Sequence, residues 1–241
     1  MFPYDPQLLA LLETQPVSIA NVLATMQSID GLTVDGDGLK WFNWLYWQVT
    51  QAVANRVNTG GFADADYLTE LDVQFAQLYF NALKDSLSSR PLPECWQTLF
   101  SQRRDTRLAR IQCALAGINA HINHDLPFAL IATSQLENLP PQHGTTQYTD
   151  YTALNTSLDS LIESAKHELN VRLLGDALPA VSTLEDTLAA WSVSAAREAA
   201  WCNAELLWRL RDEPILSSSF GTTLDGLTTV VNKTLLLPIP A

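Results

Sequence analysis

Apolar residues recur every three or four positions along most of the chain, which is the spacing of one face of an α-helix. The segment 39–57 shows this most clearly, with large apolar side chains at helical spacing from Trp41 to Val57. The segment 64–87 repeats the pattern. No stretch alternates apolar and polar residues as a half-buried strand would. The pattern predicts an all-α fold.

Breaks that contain glycine and proline divide the chain into predicted helices. These helices cover residues 18–26, 39–57, 64–87, 93–102, 105–123, 128–136, 151–174 and 183–211. Residues 137–150 are predicted to form a surface loop long enough to act as a lid. We expect the tail 217–241 to pack back on the bundle as a short helix and an extended end. Together these elements predict a single domain over residues 1–241, built as a bundle of about six to nine helices.

The predicted helix 105–123 changes character along its length. Its basic start, 103–110, is interpreted as a solvated helix face, whereas almost no charged face remains between Ile111 and Ile118. A helix that is apolar all round is usually surrounded by others, so we place it at the centre of the bundle. Pro127 has no N–H to donate to the carbonyl of Asn123, and it predicts a kink or restart at residues 123–125.

The composition fits a globular protein that does not bind nucleic acid. The 241 residues are 47% hydrophobic and 17% charged, which is enough to bury a substantial core. The net charge of −12 would repel phosphates, and no basic stripe offsets it. No run approaches the ~20 apolar residues of a membrane span, and the first residues lack a secretory signal. We therefore expect a cytoplasmic protein with no membrane span.

The cysteines give no sign of a disulfide framework or a zinc ribbon. Cys95, Cys113 and Cys202 are widely spaced and form no Cys-x-x-Cys pair. We interpret each as a small buried hydrophobic residue in a reducing compartment.

The strongest candidate for chemistry is the polar segment 119–125 on the apolar central helix. His121 and Asp125 lie one turn apart on one face, with His124 beside them. Burying such groups without partners is costly, so they must meet protein partners, a ligand, a metal ion or water. A His–Asp pair at this spacing can bind one divalent metal ion or act as a base with its orienting partner. The alternative is a hydrogen-bond network that only fixes helix register.

Other polar residues within apolar helices are candidate members of the same site. Asp72 and Glu198 would supply further carboxylates, and Arg197 would anchor an anion. Either Tyr46 or Tyr79 would donate a proton. The expected substrate contacts are Asn43, Tyr46, Asn119, Asn123 and Trp201, with Trp41, Trp44 and Trp47 as further apolar walls. For each residue taken alone, a hydrogen bond within the core is the competing interpretation.

Four segments resemble the signature blocks of one bacterial and fungal family that is known only as a domain of unknown function (number 5995). They are DGLKWFNWLYWQVT at 37–50, LDVQFAQLYF at 71–80, GINAHINHDL at 117–126 and AREAAW at 196–201. The blocks occur in order and span roughly residues 20–210. The resemblance implies an all-helical fold and a site where the blocks converge, but it implies no reaction.

The His-x-x-x-Asp pair followed by Pro127 is also similar to a piece of the zinc-dependent phospholipases C and their nuclease relatives, which are all-helical. Those enzymes need many more histidine ligands than the four histidines of this chain. The similarity therefore implies at most one divalent metal ion, held by His121 and Asp125.

Three classes of function remain open. The first is an enzyme with a buried polar pocket that acts on a small, partly hydrophobic substrate, either as a hydrolase assisted by one metal ion or by metal-free acid–base chemistry of the lyase or cyclase type. The second is a carrier that binds a hydrophobic small molecule. The third is a structural helical module. The expected partner is a small molecule in the first two classes.

Overall fold

The computed structural model describes residues 2–173 and 192–238, and within these ranges every regular element is helical. Its α-helices are α1 (Asp5–Leu11), α2 (Ile19–Leu32), α3 (Gly38–Asn58), α4 (Ala65–Leu87), α5 (Glu94–Gln102), α6 (Arg110–Ala120), α7 (Leu126–Glu137), α8 (Thr146–Ala153), α9 (Asn155–Leu173), α10 (Val193–Arg209) and α11 (Pro214–Leu235). A π-helical turn (His121–Asp125) joins α6 to α7, and α8 meets α9 at Leu154. Counted as continuous rods, these ranges hold nine helices, which confirms the predicted all-α bundle.

Polar side chains fix the starts of several helices by accepting a backbone N–H of the first turn. They belong to Ser18, Asp37, Asp64, Thr145 and Ser192, which precede α2, α3, α4, α8 and α10. Such N-caps pair amide groups that have no partner inside the helix, and each typically contributes about 1 kcal/mol. The caps on α3, α4 and α10 thus anchor helices that carry candidate site residues.

Helix α6 lies among other helices, as its uniformly apolar sequence predicts. Residues 111–120 are all buried. Gly117 allows α3 to approach closely, because a Cβ at this position would lie 2.3 Å from Cγ of Phe42. Gly38, at the start of α3, allows a similar approach to α6, because a Cβ at this position would lie 2.7 Å from Sγ of Cys113. These contacts bring the aromatic face of α3 beside the polar segment.

A π turn at 121–125 interrupts the regular α-helical hydrogen-bond pattern where Pro127 predicts a kink or restart, and the rod continues through it. The backbone N–H of Leu126 donates to the carbonyl of His121, five residues back instead of four. Pro127 then lies in the first turn of α7, where its missing N–H costs no hydrogen bond. A π turn redirects side chains relative to a continuous α-helix and is frequent at functional sites.

Arg103 is buried, so the interpretation of 103–110 as a solvated helix face is wrong at this position. The chain forms turns before α6 begins at Arg110. The guanidinium of Arg103 donates to Asp37 at 2.6 Å and to Asp5 at 2.8 Å. Tyr4 adds a hydroxyl that donates to Asp37 at 2.9 Å. A charge at this depth requires such partners, and the cluster ties α1 and the start of α3 to the end of α5.

The structure contains two helices that the apolar pattern missed, and each has a proline in its first turn. The pattern predicts nothing before residue 18 and only a short helix in the tail. The structure instead has α1 and the 22-residue α11, with Pro6 and Pro214 in their first turns. Proline is favoured there because the first N–H groups of a helix have no internal partner. The predicted lid 137–150 is also shorter than expected, because α8 begins at Thr146.

Part of three sequence predictions lies outside the described residues. These are the last residue of the predicted helix 151–174, the start of the predicted helix 183–211, whose described part is α10, and the end of the tail beyond 238. Among the helices that the structure describes, none is both long and apolar enough to cross a membrane.

Candidate functional site

Asp125 is the centre of the polar cluster. The residue is 2% exposed, and its side chain accepts three hydrogen bonds. The indole N–H of Trp96 and Nδ1–H of His121 both donate to Oδ2 at 2.9 Å, and Nδ1–H of His124 donates to Oδ1 at 2.7 Å. Burial disfavours the charged carboxylate, but the hydrogen bonds from both imidazoles outweigh it and lower the pKa of Asp125. One ionised carboxylate therefore orients both histidines.

His121 is held as a neutral imidazole with one free nitrogen. Burial lowers its pKa, although the contact with Asp125 opposes that shift. Because Nδ1 carries the proton that Asp125 accepts, the lone pair resides on Nε2, which is buried without a hydrogen-bond partner among the described residues. Phe75 stacks on one face of the ring and Tyr46 meets it edge-on, with centroids 4.4 Å apart. A buried acceptor without a partner is uncommon and indicates a place for a ligand or water.

His121 lines a small cavity with mostly apolar walls. The cavity measures about 50 Å³ as space open to the centres of water molecules. By the same measure a single water needs about 10–15 Å³. Its walls are aliphatic and aromatic except at Tyr46, His121 and Arg197. A bound molecule would thus meet apolar surface together with one imidazole, one phenol and one guanidinium.

A second cavity of about 40 Å³ shares Tyr46, Phe75 and Arg197 with the first and adds Asp72 to its walls. Burial raises the pKa of Asp72 to about 7. Its Oδ2 is buried without a hydrogen-bond partner in the described ranges. Burial, followed by the negative charge of Asp72, also raises the pKa of Tyr46. A carboxyl group that titrates near neutral pH can both donate and accept a proton under ordinary conditions.

Arg197 contributes a buried positive charge to both cavities. It is 7% exposed, and burial lowers its pKa. Its guanidinium donates to the Tyr151 carbonyl and to the side-chain oxygen of Asn155, both at 2.8 Å, and lies 3.9 Å from the centre of the Tyr151 ring. In the part of the chain that the structure describes, no carboxylate pairs with it. This arrangement suits an anionic group on a ligand.

Two of the expected site residues, Asn43 and Tyr79, are bonded to each other. The Tyr79 hydroxyl donates to Oδ1 of Asn43 at 3.2 Å, and Nδ2 of Asn43 donates to the carbonyl of Met26 at 2.9 Å. Both side chains are fully buried and line neither cavity. They join α2, α3 and α4 behind the His121 ring.

Asn119 and Asn123 face the C-terminal helix α11. Nδ2 of Asn119 donates to Oδ1 of Asn232 at 2.9 Å and to the Thr228 carbonyl at 3.1 Å. Asn123 donates to Asn119 at 2.8 Å. These bonds fix α11 against the central rod, on a different face from His121.

Glu198 and Trp201 lie apart from the two cavities. Glu198 accepts hydrogen bonds from Nε2 of His143 at 2.8 Å and from the Tyr148 hydroxyl at 2.9 Å. Trp201 packs against Tyr148 and Tyr151, with centroids 5.3 and 4.9 Å apart. The tryptophans expected as pocket walls likewise line neither cavity.

The described residues contain two groups of side chains that could hold a metal ion, and neither includes His121. They are Cys95, His124 and Asp225, and His143, Glu198 and Cys202, with the donor atoms of each group within 4.8 Å of one another. The first group adjoins Asp125 through His124. Cys95 and Asp225 come from α5 and α11, 130 positions apart, so no local pattern in the sequence could have joined them. Trp96, the third donor to Asp125, was missed for the same reason.

These features define an all-helical protein whose central rod carries an aspartate-bridged pair of histidines, one of them beside an apolar cavity. A family model described as "Family of unknown function (DUF5995)" matches residues 19–238. The match covers most of the chain, and the chain belongs to this family. No curated protein and no solved structure matches the chain.

Proposed function

We propose that the chain is an enzyme that performs acid–base chemistry on a small, largely apolar molecule bound against His121. The observation that carries this proposal is the buried Nε2 of His121, which has no partner among the described residues while Asp125 holds Nδ1. An unprotonated imidazole nitrogen fixed in this way can act as a general base on a substrate that binds beside it.

The surrounding groups suit such a reaction. Nε2 would remove a proton from the substrate, and Asp125 would stabilise the imidazolium that forms. Asp72, with a pKa of about 7, is a candidate to return a proton in the neighbouring cavity. Arg197 would compensate negative charge that develops on the substrate. A substrate that fills the apolar cavity would displace its water, which strengthens each of these electrostatic effects.

Metal-assisted hydrolysis through His121 and Asp125 receives less support. The hydrogen bond to Asp125 occupies Nδ1 of His121 and leaves only Nε2 to bind a metal ion. Among the described residues, His121 belongs to neither of the two groups of side chains that could hold a metal ion. The carboxylate of Asp125 is already shared among three N–H donors. The pair is therefore better suited to proton transfer than to chelation.

The apolar walls favour one alternative, a carrier for hydrophobic small molecules in which Nε2 of His121 only accepts a hydrogen bond from the cargo. Both proposals predict that Nε2 recognises a donor. Phenol and toluene test this directly, because they have similar shapes and only phenol has an O–H. We expect the wild type to bind phenol about 10-fold more tightly than toluene in calorimetric titrations, which is the worth of one hydrogen bond. The preference should disappear in His121→Phe, which keeps a ring for Phe75 to stack on.

Turnover separates the enzyme from the carrier. Acetophenone has methyl protons that a base can remove to give an enolate, which then takes a deuteron from D₂O. Proton NMR measures the rate of this exchange. We expect the wild-type rate to saturate with acetophenone concentration, and the rate in His121→Gln to be lower by roughly 10²–10⁴-fold. Selective binding of phenol without exchange would instead support the carrier. Equal affinity for phenol and toluene would contradict both proposals.

A further inference from the structure

We propose that Cys95, His124 and Asp225 bind one divalent transition metal ion, with Zn²⁺ as the best match, and that Asp125 positions His124 for it. A thiol, an imidazole and a carboxylate from α5, the π turn and α11 place their donor atoms within 4.8 Å of one another. The proposal does not rest on the function of His121, because it concerns other donor atoms.

The donor set selects the kind of ion. A thiolate with an imidazole suits Zn²⁺ or Co²⁺, whereas Mg²⁺ and Ca²⁺ prefer oxygen ligands throughout. Metal–ligand bonds of about 2.0–2.3 Å place tetrahedral ligands about 3.3–3.8 Å apart. The three groups therefore need to draw together by on the order of 1 Å to hold the ion. Three protein ligands leave the fourth position for water.

His124 is already oriented as a metal-binding histidine would be. Its Nδ1–H donates to Oδ1 of Asp125 at 2.7 Å, which leaves Nε2 for the ion. Histidines that ligate metals usually donate their other N–H to a carboxylate or carbonyl in this way, which fixes the tautomer and the ring orientation. The side chain of His124 is 11% exposed, so the site is shielded from bulk solvent.

Asp225 is held in place by the start of α5. Its two oxygens accept the backbone N–H groups of Glu94 and Cys95, both at 2.9 Å. A carboxylate has further lone pairs, so an ion can bind it without displacing these bonds. Cys95 is fully buried with Asp225 and Asp125 nearby. A bound cation would balance the charge of the two carboxylates and favour loss of the Cys95 proton, because a metal ion binds the thiolate.

Cobalt(II) tests the site with a signal that reports the thiolate itself. We expect the full-length, untagged, reduced protein to bind one equivalent of Co²⁺ and develop the near-ultraviolet sulfur-to-cobalt charge-transfer band. Added Zn²⁺ should abolish the band. Cys95→Ser should lose it, and His124→Gln and Asp225→Asn should weaken binding at least 10-fold. Asp125→Asn, which keeps all three ligands, should weaken binding about 10–100-fold while retaining the band.

The second metal-capable group supplies the controls. Cys202→Ser and His143→Gln alter that group alone, and Cys113→Ser removes the remaining thiol, so all three variants should bind Co²⁺ like the wild type. Circular dichroism and thermal melts verify that each variant is folded. A band that survives in folded Cys95→Ser, or one that disappears in Cys202→Ser, would overturn the proposal. So would a wild type without the band at millimolar Co²⁺, an outcome that no folding defect can explain.

Discussion

Phe75 lies flat against His121, with ring centroids 3.5 Å apart and planes within 5° of parallel. The stack covers one face of an imidazole whose edge is already fixed by Asp125. A flip of the ring would break its hydrogen bond to Asp125, and a swing toward water would lose the stack on Phe75 as well. A base fixed in this manner needs no reorganisation when a substrate arrives.

Phe75→Ala should raise the pKa of His121 toward its ordinary value. Burial is the main cause of the lowered pKa, and removing the stacked ring admits water to one face. An NMR titration of the imidazole Cε1–H signals measures the change. Phe128→Ala is the matched control, because Phe128 packs against His124, with centroids 5.2 Å apart. An unchanged His121 pKa in folded Phe75→Ala would show that the stack does not shield the ring.

Asp125→Asn should impair exchange of acetophenone far more than it impairs folding. The amide cannot accept from three donors, so at least one buried N–H is left unpaired, at a cost of about 1–3 kcal/mol. His121 also loses the charge that holds its tautomer, and exchange should fall by roughly 10²–10⁴-fold. Urea unfolding and exchange rates are measured on the same preparation.

Asp150→Asn is the control for that comparison. Asp150 is 6% exposed and accepts the backbone N–H groups of Ala63 and Asp64, away from His121. It should lose stability without losing exchange. If both variants lost exchange in proportion to their stability, Asp125 would be a purely structural residue.

Asp72 should make the protein less stable as the pH rises. Its pKa is about 7 in the folded protein against an ordinary value of 3.8, so the folded chain binds this proton more tightly than the unfolded chain. The contribution of this group therefore favours folding at low pH and is lost as the pH rises through about 7. Between pH 5 and 8, wild type should lose about 2–3 kcal/mol relative to Asp72→Asn, measured by urea unfolding. Asp66→Asn makes the same change at an exposed position of α4. The difference in free energy of unfolding between this variant and the wild type should stay constant over the same pH range.

Gly117→Ala should destabilise the bundle. The added Cβ would lie 2.3 Å from Cγ of Phe42, and overpacking of this kind costs about 1–3 kcal/mol. Gly226→Ala makes the same change inside α11, where no atom lies within 4 Å of the added Cβ. That variant should gain about 0.5–1 kcal/mol because alanine restricts the unfolded chain more than glycine does. Equal effects in thermal melts would show that the contact between α3 and α6 can relax.

Arg103→Met should cost about 3–5 kcal/mol, because it leaves the buried carboxylates of Asp37 and Asp5 without their cation. Arg107→Met removes an exposed arginine, whose ion pair with Asp105 is open to solvent on the arginine side, and chemical unfolding should detect no change. If Arg103→Met left the free energy of unfolding unchanged, both aspartates would have to take up protons at little cost.

Local spacing predicted those parts of the fold and site that depend on neighbours along the chain. Helical periodicity identified α3 and α4, and the missing N–H of Pro127 indicated an irregularity at 123–125, although not that it would be a π turn. The hydrogen bond between His121 and Asp125 follows from four-residue spacing. Each of these features is decided within one or two turns of helix.

The remaining features of the fold and the site depend on packing between helices that are far apart in the sequence. Nothing near Cys95 indicates that Asp225 will meet it, and Asn119 carries no local sign that its partner is Asn232. Glu198 adjoins Arg197 in the chain, yet successive positions of a helix point in different directions, so one lines the cavities and the other meets His143. The sequence thus identified polar residues of interest without identifying their partners on other helices.

The π turn also bears on how related chains should be compared. It holds one residue more than a regular α-helix needs between the same two ends. Deleting any one residue of 121–125 would restore a regular α-helix and leave α6 and α7 in nearly the same relative orientation. The side chains inside the turn would be redirected, so the deletion would take the two histidines away from Asp125 while the rest of the bundle kept its place. In an alignment of family members, a single-residue gap at this position would therefore sort the chains that lack the histidine pair from those that keep it, even where every letter around the gap is the same.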